Sequence, residues 1–260
     1  MRLLLTAGFD RALHAVALAE LARREGHVLA AVLVATPFSL ARARGLVRQR
    51  GIGALAAAGR RMAGARARNT ADGLLEELLE REGIALRSLS AWARAHGVPC
   101  ISVRSLNSPR AVRLVRAAAA EATLYAGGGV LRAPFLEAAG GRVLNAHSGP
   151  LPHVRGMNAC EWSLLLGHPP EVTIHVIDQG IDTGAVLERI PLPIEPGDTL
   201  EELRGRCAVL GVHGLLRALP RVAGPLPSRA SDAEASRQCF VLAPVLRELL
   251  ESRLGGASES

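Results

Sequence analysis

The sequence predicts an α/β protein with an open, mostly parallel sheet that carries helices on both faces. Short runs that are apolar throughout alternate with amphipathic stretches, as expected for buried parallel strands joined by helices. Hydrophobic residues make up 49% of the 260 residues and are spread along the whole chain. The chain is therefore long and apolar enough to bury a sizeable core.

The first half of the chain alternates strands and helices. Apolar runs predict strands at 3–6, 28–35 and 100–103. A helix is expected at 11–25, with one apolar face formed by Leu13, Ala17, Leu18 and Leu21. After Thr36-Pro37 the chain is expected to form broken helices as far as residue 82. Ser90 is expected to cap a short helix that ends at His96, and Ser108-Pro109 should start another because proline suits the first helical position.

The second half continues the pattern. Strands are expected at 122–126, 142–145, 172–177 and 186–194, and helices at 134–139 and 158–166. A further helix should begin near Asp198-Thr199, and a proline-rich linker at 224–227 should lead to a last helix near 244–254. We expect residues 1–200 to form one domain and residues 201–260 a short helical C-terminal extension.

The net charge of +7 is a weak indication of function, because all basic residues are arginine. The excess is concentrated between residues 37 and 71, where arginines occur without any acidic residue. Such a cluster can bind phosphates or an acidic partner, or it can be an ordinary solvated helix face. No aromatic residue lies among these arginines, so nucleic-acid binding is not expected.

Membrane and metal functions are not expected either. No apolar run approaches the roughly 20 residues that cross a bilayer, and the N-terminus lacks the pattern of a signal peptide. We therefore expect a cytoplasmic protein. The cysteines show no C-x-x-C pairing, which argues against zinc and against a disulfide framework; they are Cys100, Cys160, Cys207 and Cys239.

The stretch VLNAHSGPLP places Asn145 and His147 at the end of a predicted strand. In open α/β sheets ligands bind at the carboxyl ends of the strands, so these two side chains are candidates for a site. Asn is also an ordinary turn residue, and a single His at such a place is more often a hydrogen-bonded loop residue. Downstream, Asp182 lies in a loop flanked by Gly180 and Gly184, which would hold its carboxylate in place.

In order and spacing, these residues resemble the folate-dependent formyltransferase family, which includes methionyl-tRNA, glycinamide-ribonucleotide and sugar-amine formyltransferases. The matching motifs are Asn145-x-His147, Leu151-Pro152, Arg155-Gly156, Val172-Thr173-Ile174-His175 and Gly180-Ile181-Asp182-Thr183-Gly184. The chain departs from the family pattern at Gly149 and Pro150, where a small polar residue and Leu are usual, and at Glu171, where Gly is common.

The resemblance implies a Rossmann-like formyltransferase fold and 10-formyltetrahydrofolate as the formyl donor. It also implies that Asn145, His147 and Asp182 form the catalytic set. The folate would lie against backbone of two loops, at Gly129, Val130, Leu131, Ile177, Asp178 and Gly180. Transfer to an amine passes through a tetrahedral oxyanion, which an amide and an imidazolium can stabilise, each such donor being worth on the order of 10²–10³ in rate.

Other polar residues near these motifs are expected to be structural. No nucleophilic residue is required for the transfer, so Cys160 is expected in the core. His175 is expected to pack within the sheet, whereas Trp162 can equally edge the acceptor pocket or pack in the core.

We expect the acceptor to be a primary amine on a small molecule or a specialised-metabolite intermediate. The 78 residues after Asp182 leave too little room for the β-barrel domain of the tRNA enzyme. The first βα loop contains Asp10 rather than a Gly/Ser-rich phosphate cradle. Binding of an anionic acceptor or an acidic carrier at Arg60 and Arg61 is an open alternative. A 10-formyltetrahydrofolate hydrolase and a non-catalytic binding module on the same fold are the alternatives.

Overall fold

The structure is a computed structural model that describes residues 1–35, 71–227 and 236–256. The arginine-rich segment, with Arg60 and Arg61, lies outside the described residues, so its predicted role stays a prediction.

Along the described chain the strands are β1 (Arg2–Ala7), β2 (Val28–Ala35), β3 (Cys100–Val103), β4 (Ala122–Ala126), β5 (Val143–His147), β6 (Val154–Gly156), β7 (Glu171–Val176), β8 (Val186–Pro191) and β9 (Arg237–Cys239). The helices are α1 (Leu13–Arg24), α2 (Ala71–Arg81), α3 (Leu89–Ala95), α4 (Pro109–Ala118), α5 (Ala133–Ala138), α6 (Ala159–Leu165), α7 (Leu200–Ala218) and α8 (Pro244–Gly256).

Seven strands form one sheet in the order β3-β2-β1-β4-β5-β7-β8. The pairs from β3 to β5 are parallel, whereas β7 runs antiparallel to both β5 and β8. The predicted open, mostly parallel sheet is therefore confirmed. The short strands β6 and β9 form a separate parallel pair, which the sequence did not predict.

The core lies on both faces of this sheet. Leu3 and Leu5 of β1 pack with α1, α2, α3 and α7 on one face, whereas Leu4 packs with α4 and α5 on the other. This alternation follows from the two-residue period of a strand. Helix α7, which the sequence analysis assigned to the C-terminal extension, thus packs on the same sheet as α1.

Some predicted boundaries are wrong for identifiable reasons. Helix α3 is capped by Ser88, whose Oγ accepts from the Ala91 N–H. The predicted cap, Ser90, instead donates its hydroxyl to Asp10. Strand β5 continues two residues further than predicted because it pairs with β7 as far as His147. Asn145 and His147 are therefore strand residues.

None of the helices in the described ranges is long and apolar enough to cross a membrane.

Candidate active site

The antiparallel pair β5–β7 brings polar side chains onto one face of the sheet. Asn145 lies directly opposite His175, and His147 lies opposite Thr173. Residues that face each other across two strands point to the same side, as do residues two apart on one strand. The sheet register itself therefore gathers Asn145, His147 and His175, all within a largely buried environment.

The hydrogen bonds of His175 define its tautomer. Its Nδ1 lies 3.1 Å from the Val176 carbonyl, which can only accept, so Nδ1 carries a proton. Its Nε2 lies 3.0 Å from Nδ2 of Asn145 and accepts an amide N–H. Burial, together with the neighbouring His147, lowers the pKa of His175 to about 4. The ring is therefore neutral at neutral pH, as the acceptor role of Nε2 requires.

His147 is held from two sides. Its Nε2 donates to the Val154 carbonyl at 2.8 Å, and its Nδ1 lies 3.6 Å from Oδ2 of Asp182. The Val154 contact fixes a proton on Nε2 and turns the other ring nitrogen toward the carboxylate. The imidazole is only 6% exposed, so its orientation is determined by protein groups rather than by solvent.

Asp182 reaches this cluster from the loop between β7 and β8. Its Oδ2 accepts from the Gly156 N–H at 2.8 Å, and its Oδ1 lies 3.7 Å from Nε2 of His175. Its backbone φ is +52°, a left-handed conformation that Asp adopts more readily than most residues. The loop passes close to β7, because a Cβ on Gly184 would lie 1.8 Å from the Val176 carbonyl oxygen.

The departure at Gly149 has a steric reason. A Cβ at this position would lie 2.8 Å from Cβ of Ala159 and 3.3 Å from Nε2 of His147. The hydroxyl of Thr173 donates to the Gly149 carbonyl at 2.7 Å. The turn after β5 is thus packed tightly against the imidazole, where any side chain would crowd the ring.

The first predicted folate loop is braced by residues that the sequence analysis missed. The Tyr125 hydroxyl donates to the Gly129 carbonyl at 3.0 Å, and the Asn107 amide donates to the Val130 carbonyl at 2.8 Å. Burial, and to a smaller extent the charge of Asp182, raises the pKa of Tyr125. The side chain of Val130 is exposed, whereas that of Leu131 belongs to the core.

The second predicted folate loop starts at the amino end of β5, where the Ile177 N–H donates to the Val143 carbonyl at 2.7 Å. Asp178 then forms a tight turn, because its Oδ1 accepts from the Gly180 N–H at 3.0 Å and from the Thr183 hydroxyl at 2.6 Å. These contacts preorganise the path that brings Asp182 back to His147.

Three cavities are lined either by the predicted folate loops or by Asn145 of the cluster. One of about 530 Å³ is lined by Ile177 and Asp178 together with Leu136 of α5. Another of about 440 Å³ is lined by Gly129, Val130 and Asn107. A third of about 510 Å³ lies between the sheet and α7 and is lined by Asn145, His14 and Arg204. The two predicted folate loops thus line different cavities, and the structure brings Asn145, His147 and Asp182 into one cluster.

Cys160 is buried, as expected. A hydrogen bond to Cys207, together with burial, raises the pKa of its thiol, so Cys160 is a core residue and not a thiolate. Trp162 is half-buried and donates its Nε1 hydrogen to the Phe240 carbonyl at 2.8 Å. It therefore contacts the C-terminal segment. In the described parts of the chain, no group of three or more His, Cys, Asp or Glu side chains could hold a metal ion.

His175 is buried, as the expected packing within the sheet requires, but its contact with the Asn145 amide was not predicted. Alternation along β7 places His175 on the same face as Thr173, which is the signal that the sequence offers for this contact. The antiparallel register that sets it against Asn145 is a tertiary feature that no local pattern reports. The backbone contact of Val154 had no sequence signal, whereas Gly156 stands in the Arg155-Gly156 motif, which did not indicate its contact with Asp182.

Comparison with known proteins gives one family. The family model described as formyl transferase matches residues 4–219. The methionyl-tRNA formyltransferase of Anaeromyxobacter dehalogenans (strain 2CP-1 / ATCC BAA-258) is 38% identical over 160 residues, which cover 59% of this chain and 51% of that protein. That of Thiobacillus denitrificans (strain ATCC 25259 / T1) is 31% identical over 155 residues, covering 59% and 50%. The chain spans about half the length of the curated relatives it matches.

Solved structures show the same fold at low identity. A phosphoribosylglycinamide formyltransferase from Anaplasma phagocytophilum superimposes with a TM-score of 0.58 and 17% identity, covering 89% of this chain and 96% of that one. A sugar N-formyltransferase from Shewanella sp FDAARGOS_354 gives a TM-score of 0.54 and 14% identity, covering 98% and 87%. These likenesses confirm the predicted fold class.

Proposed function

The chain belongs to the formyltransferase family, and on this premise we propose that it transfers a formyl group from 10-formyltetrahydrofolate to a primary amine of a small molecule. The observation that carries the proposal is the cluster itself. An imidazole, a carboxylate 3.6 Å away and an amide fixed by a neutral histidine meet on one face of the sheet. These are the groups that formyl transfer to an amine requires.

The formyl donor fits the residues around this cluster. A pterin ring is edged with hydrogen-bond donors and acceptors, which loop backbone can match where glycine permits close approach. Gly129 has a φ of +92°, and a Cβ there would meet no atom of the described structure within 4 Å. The cavities of about 440 and 530 Å³ that the two predicted folate loops line lie within the usual size of ligand pockets, roughly 300–1,000 Å³. Gly129, Val130, Leu131, Ile177, Asp178 and Gly180 are the residues we propose to hold the donor.

The proposed roles follow from the hydrogen bonds of each side chain. 10-Formyltetrahydrofolate would supply the formyl group. The amine nitrogen bonds to the formyl carbon, the bond from that carbon to N10 breaks, and tetrahydrofolate leaves with a proton on N10 that balances the one the amine loses. Asn145 gives one amide hydrogen to His175 and has a second for the formyl oxygen, on which negative charge develops. His147, when protonated on both nitrogens, adds a positive charge beside that oxygen. Asp182, with its Oδ2 already fixed by the Gly156 N–H, accepts the proton that the amine loses, directly or through water.

The cavity against α7 supports an acceptor without a free phosphate. Its lining includes Asn145, Ser148 and His14, and burial lowers the pKa of His14, which favours a neutral ring. Arg204 also lines it, but this guanidinium is paired with the buried Glu161, to which Nε donates at 2.8 Å. The described lining therefore offers hydrogen-bonding groups and little uncompensated charge, which suits a neutral, hydroxyl-bearing amine.

The proposal is tested by incubating the purified protein with 10-formyltetrahydrofolate and a panel of amines, while following the folate product and the mass of each amine. We expect amine-dependent transfer. His147→Ala and Asp182→Asn should each lower it by at least about 10², because both groups act on the developing charge. His27→Ala, at the opposite end of the strands, is the matched control and should retain transfer.

Two results would contradict parts of this proposal. Turnover equal to that of the natural sequence in either site variant would remove that residue from the mechanism. Release of formate at a rate independent of every amine would mean that water is the acceptor and that the protein is a hydrolase.

A further inference from the structure

We infer that Arg155 is a positioning residue for Asp182 and that it is held in place by the C-terminal segment 236–242, here named the C-terminal latch. The inference rests on the proposed function of Asp182. Arg155 donates from Nε to the Ser236 hydroxyl at 2.5 Å and from Nη1 to the Ile181 carbonyl at 3.2 Å. One guanidinium thus joins β6, the latch and the residue that precedes Asp182.

Strand β6 also contacts both members of the proposed His–Asp pair through its backbone. The Val154 carbonyl accepts from His147, and the Gly156 N–H donates to Asp182. Arg155 lies between these two residues. Three consecutive residues therefore fix the imidazole, the carbonyl before Asp182 and the carboxylate of Asp182.

The latch supplies the pairing partner of β6 through β9. Val154, Arg155 and Gly156 pair with Arg237, Gln238 and Cys239. The pairing is close, because a Cβ on Gly156 would lie 2.2 Å from the Cys239 carbonyl oxygen. The φ of Gly156 is +95°, a conformation that glycine adopts without steric cost. Glycine is required here for both reasons.

Two further contacts anchor the latch to the beginning of α6. Trp162 donates to the Phe240 carbonyl at 2.8 Å, and the Leu242 N–H donates to Oδ1 of Asn158 at 3.1 Å. An isolated two-stranded pair is at best marginally stable. These anchors, together with the Arg155–Ser236 bond, therefore decide whether β9 stays on β6.

The consequence for Asp182 follows from its backbone. A left-handed conformation at a non-glycine residue is unfavourable and persists only where its surroundings enforce it. The Arg155 contact at the Ile181 carbonyl and the Gly156 contact at the carboxylate enforce it from both sides. A displacement of about 1 Å of a reacting group can cost about 10² in rate, so loss of the Arg155 contact should lower kcat.

The test compares Arg155→Met, Arg155→Lys and Ser236→Ala with the control Arg237→Ala, whose exposed side chain lies on the same latch. We expect Arg155→Met to lower kcat about 10-fold with the KM for 10-formyltetrahydrofolate changed by less than about 2-fold. Ser236→Ala should lower kcat less, and Arg155→Lys should restore part of the loss. Arg237→Ala should match the natural sequence. Amide hydrogen exchange at residues 181–183 should quicken in the order of the kcat losses.

Unchanged kcat in both Arg155→Met and Ser236→Ala would overturn the inference. So would an equal loss in Arg237→Ala, because any disturbance of the latch would then suffice. If Arg155→Met does not fold, Ser236→Ala alone decides. Absence of formyl transfer in the natural sequence would refute the proposed function. The inference would then stand or fall on whether exchange at 181–183 quickens in Arg155→Met but not in Arg237→Ala.

Discussion

The Asn145 amide carries two N–H groups, and the imidazole of His175 accepts one of them at 3.0 Å. Because the other nitrogen of His175 is bonded to the Val176 carbonyl, the ring cannot rotate without losing a bond inside the sheet. An amide without such a partner could turn its oxygen toward the formyl group and repel the developing charge. His175 thus positions a proposed catalytic group by ensuring that it presents a donor.

Replacing His175 by Leu should therefore lower kcat by about 10-fold, since the Asn145 amide is left in place but loses its orientation. His175→Gln is the matched variant, because its side-chain carbonyl can accept the same amide hydrogen, and it should recover most of the rate. Steady-state kinetics of amine formylation would measure both. Equal losses in the two variants would show that His175 acts through packing and not through its acceptor nitrogen.

The sequence identified candidate side chains that stand in a motif, but it did not indicate contacts that depend on the register of the strands. Asn145, His147 and Asp182 could be selected because they stand in a recognisable order, and the structure does bring them together. The contribution of His175 could not be foreseen, because it follows from β7 being antiparallel to β5. The hydrogen bonds of Asn107 could not be predicted for a similar reason. Its partners Val130 and Arg132 belong to a loop that follows α4 in the sequence, whereas Asn107 precedes this helix.

The helices and strands likewise divide into those that the sequence predicted and those that it did not. The long apolar strands and the capped helices were predictable, including the Ser108 cap, whose Oγ accepts from the Ala111 N–H. Strands β6 and β9 were not, because three residues carry no periodicity, and they pair across more than 80 residues. Strand β8 ends at Pro191, earlier than predicted, since proline supplies no N–H for a further ladder bond.

Helix α7 is placed close to the site by a glycine. A Cβ on Gly211 would lie 2.9 Å from Cβ of Ala146, the residue between Asn145 and His147. Neither atom belongs to a flexible side chain, so the helix or the strand would have to move. Gly73 in α2 offers the contrast, because a Cβ there would meet no described atom within 4 Å.

We expect Gly211→Ala to destabilise the protein and Gly73→Ala to stabilise it slightly. Alanine gains roughly 0.5–1 kcal/mol over glycine within a helix, but overpacking a close contact costs typically about 1–3 kcal/mol, so the steric cost prevails only at Gly211. Urea denaturation of the two variants would measure the difference. If Gly211→Ala were as stable as Gly73→Ala, the close approach of α7 to β5 would be refuted.

Across the molecule, three ionisable groups in the described core, Glu20, His14 and His175, have lowered pKa values. Hydrogen bonds from Arg23 and Trp92, with a smaller opposing effect of burial, hold the pKa of Glu20 at about 2. Burial lowers the pKa of both His175 and His14. In each case the unfolded chain binds protons at a higher pH than the folded protein does. Acid therefore favours unfolding throughout the range in which these groups titrate.

As the pH falls, His175 and His14 lower the free energy of unfolding before Glu20 does. An unfolded His175 takes up its proton near pH 6.5, whereas the folded one resists down to about pH 4, so the free energy of unfolding should fall by roughly 2–4 kcal/mol over that window on account of this residue. His175→Gln removes the titration but keeps a hydrogen-bond acceptor, and its stability should depend less steeply on pH between 6.5 and 4. The dependence on pH that remains in His175→Gln is due in part to His14, which this variant retains. Urea denaturation at several pH values, with the natural sequence and His175→Gln compared at each, would measure the two slopes. Equal slopes would mean that His175 has the same pKa in the folded and the unfolded protein, and the lowered pKa of the buried ring would have to be abandoned.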